Sequence, residues 1–258
     1  MKVMLFAAGM GTRLKPLTDH MPKALVPVDG HPLLDITLRR LVQAGATEVV
    51  INVHHFSDQI ISYVHTHDWG IPVSISDETP TLLDTGGGLR HALHLFSPTP
   101  DPILIHNVDI LSDADLAAFY RRSLQRADVS LMVSPRTTQR YLLFHPETHR
   151  LMGWTNIATG QVRTPYPDLR VDQMDRYAFS GIHCISPSTV RLMDTLGLPD
   201  KFPIMDFYLT HCRDLHIQAD IQPTLRLLDV GKQDTLRQAE AFYREVYLGD
   251  ETTPFRPH

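Results

Sequence analysis

The chain has 258 residues, of which 43% are hydrophobic and 21% charged, and this is the composition of a folded globular protein. The formal net charge of −5 at pH 7 argues against a protein that coats nucleic acid. No apolar run approaches the roughly 20 residues of a membrane-spanning helix, so we expect no membrane partner. The two cysteines, Cys184 and Cys212, lie among apolar residues and are expected to be buried free thiols of a cytoplasmic protein.

Apolar runs predict the strands of the first half of the chain, at residues 3–8, 48–53, 73–76, 103–107 and 129–134. Helical patterns lie between them, at residues 31–44 with Pro32 in the first turn, at 89–95 after three glycines, and at 113–126 with Ser112 or Asp113 as the cap. Because strands and helices alternate, we predict a Rossmann-like α/β fold with a mixed, mostly parallel sheet and helices on both faces.

The pattern changes between about residues 141 and 173, where short apolar stretches alternate with proline, glycine and polar turns. This indicates a small antiparallel excursion over one side of the cleft. A core strand is predicted to return at residues 177–186, followed by helices near 188–196 and 205–213, strands near 217–221 and 225–230, and a closing helix at 232–247. We therefore expect one domain over residues 1–250 and a loose tail over 251–258.

A glycine loop with two basic residues follows the first predicted strand. The loop reads Gly9-Met10-Gly11-Thr12-Arg13, and Lys23 comes shortly after it. Glycines allow backbone N–H groups to approach an anion, and the two basic side chains add positive charge where a polyphosphate would lie. A dinucleotide fingerprint would need a third small residue where Leu14 stands, and the chain has no GxxxxGK[ST] sequence. The loop therefore predicts a polyphosphate site of another kind.

Two aspartates end strands that lie far apart in the sequence. Asp109 follows the strand at 103–107, and Asp229 ends the strand at 225–230. Mg²⁺ in phosphate sites takes one or two carboxylates together with phosphate oxygens and water. Because ligands bind at the carboxyl ends of parallel strands, the pair predicts a magnesium site at that edge.

The glycine motifs are similar to those of the sugar-1-phosphate nucleotidyltransferases, the pyrophosphorylase-type enzymes that make NDP-sugars. The residues that carry the likeness are Ala7-Ala8-Gly9-Met10-Gly11-Thr12-Arg13-Leu14, Pro16-Leu17-Thr18 and Pro22-Lys23-Ala24-Leu25, and it extends to Asp229-Val230-Gly231. The resemblance implies an enzyme that converts an NTP and a sugar 1-phosphate into an NDP-sugar and pyrophosphate, with Mg²⁺ as cofactor.

The resemblance also implies residue roles. Arg13 and Lys23 are expected to be catalytic, and Asp109 and Asp229 to hold the metal. The expected nucleotide-binding residues are Ala8, Gly9, Gly11, Thr12, Glu78, Thr85, Gly86 and Gly87. The expected sugar-binding residues are Asp84, Asn156 and Asp206, with residues 141–173 as the lid on the sugar side. The family usually has glycine where this chain has Val108, so the backbone before Asp109 is a point of difference.

The choice of substrates is open at this point. The short chain and the sequence Asp84-Thr85-Gly86-Gly87-Gly88 look most like the muramate branch of the family, which implies UTP and N-acetylmuramic acid 1-phosphate and a step in cell-wall sugar salvage. The methyl group of Ala8 should also favour a pyrimidine over a purine. Glu78 suits guanine at least as well as uracil, so a mannose- or heptose-1-phosphate guanylyltransferase is the alternative. A non-catalytic nucleotide or NDP-sugar sensor is the alternative from another class of protein.

Overall fold

The computed structural model describes residues 1–124 and 127–248. The predicted tail at 251–258 and the end of the predicted helix at 113–126 lie outside these residues. In chain order, the strands are β1 (Lys2–Phe6), β2 (Pro27–Val28), β3 (His31–Pro32), β4 (Glu48–Val53), β5 (Val73–Asp77), β6 (Ile103–Asn107), β7 (Ile110–Ser112), β8 (Val129–Ser134), β9 (Arg140–Phe144), β10 (Leu151–Asn156), β11 (Gln161–Arg163), β12 (Asp175–Ile185), β13 (Ile217–Ile221) and β14 (Leu227–Asp229). The α-helices are α1 (Leu33–Gln43), α2 (Ser57–His65), α3 (Asp84–Ala92), α4 (Leu116–Ser123), α5 (Pro187–Leu192), α6 (Ile204–His211) and α7 (Gln233–Tyr243), and a π-helical turn at Arg244–Leu248 extends α7.

The central sheet is mixed and mostly parallel, as predicted. Its main part has the strand order β13-β8-β12-β6-β1-β4-β5. Strand β1 runs parallel to β4 and β6, β4 runs parallel to β5, and β8 runs parallel to β13. Strand β12 is antiparallel to both β6 and β8. The carboxyl ends of β1, β4, β5, β6 and β8 therefore meet at one edge of the sheet.

The antiparallel excursion is formed by β9, β10 and β11. Strand β9 pairs with the first residues of β12, and β10 pairs with β9 and β11. Strand β12 has 11 residues and serves both parts, with a register shift between Phe179 and His183 where it passes from the excursion into the main sheet. The structure thus contains the predicted excursion, and its function as a lid stays a prediction.

Helices cover both faces of the sheet because successive strand residues point to opposite sides. On one face, α1, α2 and α4 pack on a cluster that includes Val3, Leu5 and Phe119. On the other face, α3, α5 and α6 pack on a cluster that includes Met4 and Tyr208. Among the described residues, no helix is both long enough and apolar enough to cross a bilayer.

Three predicted helix starts are wrong. Helix α1 begins at Leu33, since His31 and Pro32 pair with β2 as a short strand. Helix α4 begins at Leu116, where the Asp115 carboxylate caps it by accepting a 2.8 Å hydrogen bond from the Ala118 N–H. Helix α3 begins at Asp84 rather than at residue 89, so its three glycines lie within the helix and not before it.

Candidate active site

The predicted polyphosphate loop leaves the carboxyl end of β1 and is shaped by Gly11. Gly11 has a φ of +62°, and its carbonyl accepts a 2.8 Å hydrogen bond from the Thr18 hydroxyl. A Cβ atom on Gly11 would lie 2.9 Å from the Thr18 side chain and 3.0 Å from the Cβ of Lys23. Both the backbone conformation and the packing therefore require glycine here. The loop leaves Gly9 and Thr12 exposed to solvent and buries Ala8.

Lys23 and Asp109 form an ion pair at this edge. The Lys23 ammonium donates a hydrogen bond to the Asp109 carboxylate, although 86 residues separate them in the sequence. The side chain of Lys23 is 9% exposed and that of Asp109 is 20% exposed. The structure thus joins a residue expected to be catalytic to one expected to bind the metal.

Arg13 and Asp229 are brought together around Gly231. A Cβ atom on Gly231 would lie 2.7 Å from the Asp229 carboxylate and 2.8 Å from the Arg13 guanidinium. Arg136 is also near, since Asp229 acts on it electrostatically, and its guanidinium donates a 2.9 Å hydrogen bond to the Phe179 carbonyl. Burial lowers the pKa of Arg136, and Asp229 partly raises it again. From the sequence, Arg136 is a weaker candidate without an assigned role, and its position just after β8 is the signal that points to it.

Strands β7 and β14 form a two-stranded ribbon; Asp109 directly precedes β7, and Asp229 ends β14. Asp229 pairs with Ile110, and the Val230 N–H donates a 2.9 Å hydrogen bond to the Asp109 carbonyl. Their backbones are therefore neighbours, as a shared metal would require. The two side chains supply only carboxylate oxygens, which suit Mg²⁺. No group of three or more His, Cys, Asp or Glu side chains able to hold a metal occurs among residues 1–124 and 127–248. A two-carboxylate magnesium site completed by phosphate oxygens and water fits this donor set.

Val108 replaces the usual family glycine without strain. It is not among the residues with positive φ, and its side chain is buried in the core. Its N–H donates a 3.0 Å hydrogen bond to the Phe6 carbonyl. The backbone before Asp109 therefore has no need of glycine in this chain.

The glycines of α3 pack against the segment that leads into α6. The N–H groups of Gly86 and Gly87 both donate to the Phe202 carbonyl, at 2.9 and 3.2 Å, and the Thr85 hydroxyl accepts a 2.9 Å hydrogen bond from the Ile204 N–H. Three glycines placed before a helix at 89–95 would expose free backbone donors, but in the structure the N–H groups of Gly86 and Gly87 have a partner inside the protein. The nucleotide contacts of Thr85, Gly86 and Gly87 stay predictions.

Glu78 is buried at the carboxyl end of β5, with 2% of its surface exposed. One carboxylate oxygen accepts a 2.8 Å hydrogen bond from the Asn52 side chain, and the other accepts a 3.0 Å hydrogen bond from the Leu83 N–H. Both oxygens thus have partners within the protein, and the predicted contact with the base stays a prediction. Asn52 was missed in the sequence because it lies inside an apolar strand.

The three predicted sugar-binding residues are held in different ways. Asp84 has a φ of +61° and accepts a 2.7 Å hydrogen bond from the Thr85 N–H. Asp206, near the start of α6, pairs at 2.7 Å with Arg163 of β11. Asn156 ends β10, and its carboxamide oxygen accepts a 3.0 Å hydrogen bond from the Ala158 N–H. The Thr85–Ile204 contact brings Asp84 and Asp206 to the same region, and the Arg163–Asp206 pair connects that region with the excursion, where Asn156 lies.

The two cysteines take no part in this chemistry. Cys184 and Cys212 are free and buried, as predicted. Burial raises the pKa of the Cys184 thiol to about 12 and that of Cys212 to about 11. Both stay protonated at neutral pH and are poor nucleophiles.

A glycine loop, basic residues and two neighbouring aspartates at the carboxyl edge of an α/β sheet are the arrangement expected of a phosphate-handling protein. The nucleotidyl transferase family profile matches residues 2–141, more than half of the chain, and the chain belongs to that family. It is 40% identical over 151 residues to N-acetylmuramate alpha-1-phosphate uridylyltransferase of Caulobacter vibrioides, covering 55% of this chain and 60% of that protein. The protein of the same name from Neisseria meningitidis is 41% identical over 122 residues, covering 47% of this chain and 52% of that protein. The matches thus span a little over half the length of these relatives.

The fold is shared with solved nucleotidyltransferase structures. A putative glucose-1-phosphate thymidylyltransferase from Bacillus anthracis superposes with a TM-score of 0.77, covering 95% of this chain and 96% of that one. At 15% sequence identity, this likeness establishes the fold alone. It confirms the Rossmann-like architecture predicted from the alternation of strands and helices.

Proposed function

We propose that this protein transfers a nucleotidyl group from an NTP to a sugar 1-phosphate and releases pyrophosphate. The main support is the charge arrangement at the carboxyl edge of the sheet, where Lys23–Asp109 and Arg13–Asp229 lie beside the Gly11 loop. Together with Arg136, these side chains carry one net positive charge, which suits a polyanionic substrate. A sensor that only bound nucleotide would have no need of this alternating set of cations and carboxylates.

The reaction is a direct displacement. An oxygen of the sugar phosphate attacks the α-phosphorus in line, the bond from that phosphorus to the β-phosphate oxygen breaks, and pyrophosphate leaves with the electron pair. The nucleophile is already an anion, so no covalent enzyme intermediate and no general base are required. The protein contributes by positioning and by neutralising charge.

Each charged residue has a distinct part in this scheme. Arg13 stabilises the departing pyrophosphate, and Lys23 neutralises the α-phosphoryl region. Asp109 and Asp229 would hold Mg²⁺, which when bound offsets phosphate charge and draws both reactants together. Backbone and side-chain contacts from Ala8, Gly9, Gly11, Thr12, Thr85, Gly86 and Gly87 would hold the nucleotide. Asp84, Asp206 and Asn156 would contact the sugar, with the excursion at 141–173 as a lid.

The proposed substrates are UTP and N-acetylmuramic acid 1-phosphate, in a cytoplasmic step of cell-wall sugar salvage. The names of the relatives from Caulobacter vibrioides and Neisseria meningitidis support this choice. The buried methyl group of Ala8, directly before the loop, also favours a pyrimidine. Discrimination between bases rests on few hydrogen bonds, each of which is worth about 1–3 kcal/mol when a partner is left unpaired.

A substrate matrix tests both parts of the proposal. UTP, CTP, dTTP, GTP and ATP are each combined with N-acetylmuramic acid, N-acetylglucosamine, mannose and glucose 1-phosphates, and pyrophosphate release is measured. We expect the highest kcat/KM for UTP with N-acetylmuramic acid 1-phosphate. A preference for GTP with the mannose substrate would contradict the substrate choice and leave the reaction class standing. Nucleotide binding without turnover in any combination would contradict the reaction class and favour a sensor.

A further inference from the structure

A series of three hydrogen bonds, two buried and one partly buried, connects the ends of three neighbouring strands. The Ala7 N–H donates to the Asn52 carboxamide oxygen at 2.8 Å, and the Asn52 amide group donates to one Glu78 oxygen at 2.8 Å. The Leu83 N–H donates to the other Glu78 oxygen at 3.0 Å. Ala7 and Asn52 are each 3% exposed, and Glu78 is 2% exposed. The two links through Asn52 are buried, so solvent cannot replace their partners and they are costly to break, whereas the link to Leu83 is partly buried.

The two ends of this series of hydrogen bonds are the two segments that we propose to contact the nucleotide. Ala7 opens the loop that contains Gly11, and Leu83 directly precedes α3 with Thr85 and Gly86. The backbone of Glu78 is fixed as well, because its N–H donates at 2.8 Å to the Val53 carbonyl. The distance between loop and helix is thus set by side chains from the ends of β4 and β5.

We propose that Glu78 and Asn52 are positioning residues that hold the loop at 7–13 and the start of α3 at the separation required by a nucleotide. This inference rests on the proposed nucleotide site and replaces the expected contact of Glu78 with the base. A carboxylate that is 2% exposed, with each oxygen engaged by a protein donor, acts through the segments it connects. It should therefore affect all nucleotides alike, whereas a base contact would distinguish one base from another.

Two substitutions that keep the side-chain shapes can exchange the donor and the acceptor in the hydrogen bond between positions 52 and 78. Asn52→Asp alone places two carboxylates against each other. Glu78→Gln alone places two amide groups against each other, or deprives the Ala7 N–H of its acceptor. With both substitutions, the carboxylate at position 52 accepts from the Ala7 N–H and from the carboxamide at position 78, whose oxygen still accepts from the Leu83 N–H. All three links are then restored, with the same net charge.

The experiment measures Kd and kcat/KM for UTP, CTP and GTP in the wild type, both single variants and the double variant. Each single substitution should weaken nucleotide binding and kcat/KM by about ten- to a hundredfold, by the same factor for each base. The double variant should recover to within about threefold of the wild type. A loss confined to one base, or a double variant no better than the worse single variant, would overturn the positioning role.

Asp220→Asn is the matched control for a purely structural effect. Asp220 is also buried and accepts from Arg122 at 2.7 and 2.8 Å, on β13 and away from the nucleotide segments. We expect it to lower the melting temperature and leave Kd and kcat/KM unchanged. If Asp220→Asn weakens nucleotide binding as much as the Asn52 and Glu78 variants do for the same drop in melting temperature, those losses reflect lost stability and the positioning role is refuted. A wild type that binds nucleotide without turnover would refute the proposed reaction, and the Kd values would still decide the role of Glu78.

Discussion

Lys23 and Asp109 neutralise each other in the structure, and both side chains are largely withdrawn from solvent. An ammonium and a carboxylate in contact at a partly buried site hold each other in place, because separating them would leave a charge without a partner. In the proposed reaction, Lys23 would pair with phosphate oxygens, and Asp109 would hold Mg²⁺ together with Asp229. Until substrate binds, the ion pair keeps both side chains in place.

The two basic residues of the glycine motif should act mainly in the transition state. Arg13→Ala and Lys23→Ala are each expected to lower kcat by roughly 10²-fold or more, as for other preorganised charged donors. Lys15→Ala is the matched control, since Lys15 lies in the same segment and pairs with Asp19 at the surface with 61% of its side chain exposed. Steady-state kinetics and melting temperatures check the prediction. Near wild-type turnover in either variant would refute the polyphosphate assignment.

The ribbon of β7 and β14 predicts strict dependence on a divalent metal. Asp109→Asn and Asp229→Asn should require far more Mg²⁺ or be inactive, since each removes one charged oxygen ligand. The rate is measured against Mg²⁺ concentration. Asp113→Asn is the control because Asp113 follows the same ribbon and pairs with Arg226 instead. Curves that coincide with the wild type for both variants would mean that the metal is held elsewhere.

Gly231 should be essential for activity and of less importance for folding. In Gly231→Ala the new methyl group would press on the ends of the Asp229 and Arg13 side chains, at 2.7 and 2.8 Å, which can move aside. We expect a loss of kcat of about tenfold or more from the displaced charges, with a small change in melting temperature. Gly70→Ala is the control outside the site, where φ is +68°, so the added methyl group strains the backbone, and nothing lies within 4 Å of it. Full activity in Gly231→Ala would show that Gly231 is not required at the site.

His183 should make the fold sensitive to acid. It is buried between Phe179 and Tyr208, and neither ring nitrogen has a hydrogen-bond partner within the part of the chain that the structure describes. Burial lowers its pKa from 6.5 to about 3. As the pH falls below 6.5, His183 binds a proton in the unfolded chain but stays neutral in the folded one. The free energy of unfolding therefore declines from about pH 6.5 toward pH 3.

His183→Phe removes this contribution. The decline in the free energy of unfolding between about pH 6 and pH 4 should become shallower by up to about 1.4 kcal/mol per pH unit. Urea unfolding at several pH values measures it. His65→Phe makes the same change on the exposed surface of α2 and serves as the control. Equal pH profiles for the wild type and His183→Phe would show that His183 is accommodated without cost.

Several strands could be read from the sequence because they are continuous apolar runs. The predicted bounds at residues 48–53, 103–107 and 129–134 agree with β4, β6 and β8. The start of α3 was missed because glycines disfavour helix by about 1 kcal/mol each. The Phe202 carbonyl, more than 100 residues away, holds two of them in the first turns. The short strands β2, β3, β7 and β11 were missed for a related reason, since strands of two or three residues have no measurable periodicity, whereas β14 lies within the strand predicted at 225–230.

The sequence by itself supplied the candidate residues for the chemistry and predicted that several of them follow strands, because local apolar runs and glycine loops specify strand ends. Only the tertiary structure decided how those residues are paired. Lys23 contacts Asp109 although 86 residues separate them, and Arg13 and Asp229 both lie beside Gly231. It also decided that Glu78 lies within the protein, bound to Asn52, rather than on the cleft surface. Such pairings depend on sheet register and on the packing of distant segments, and neither is encoded in the spacing of any single motif.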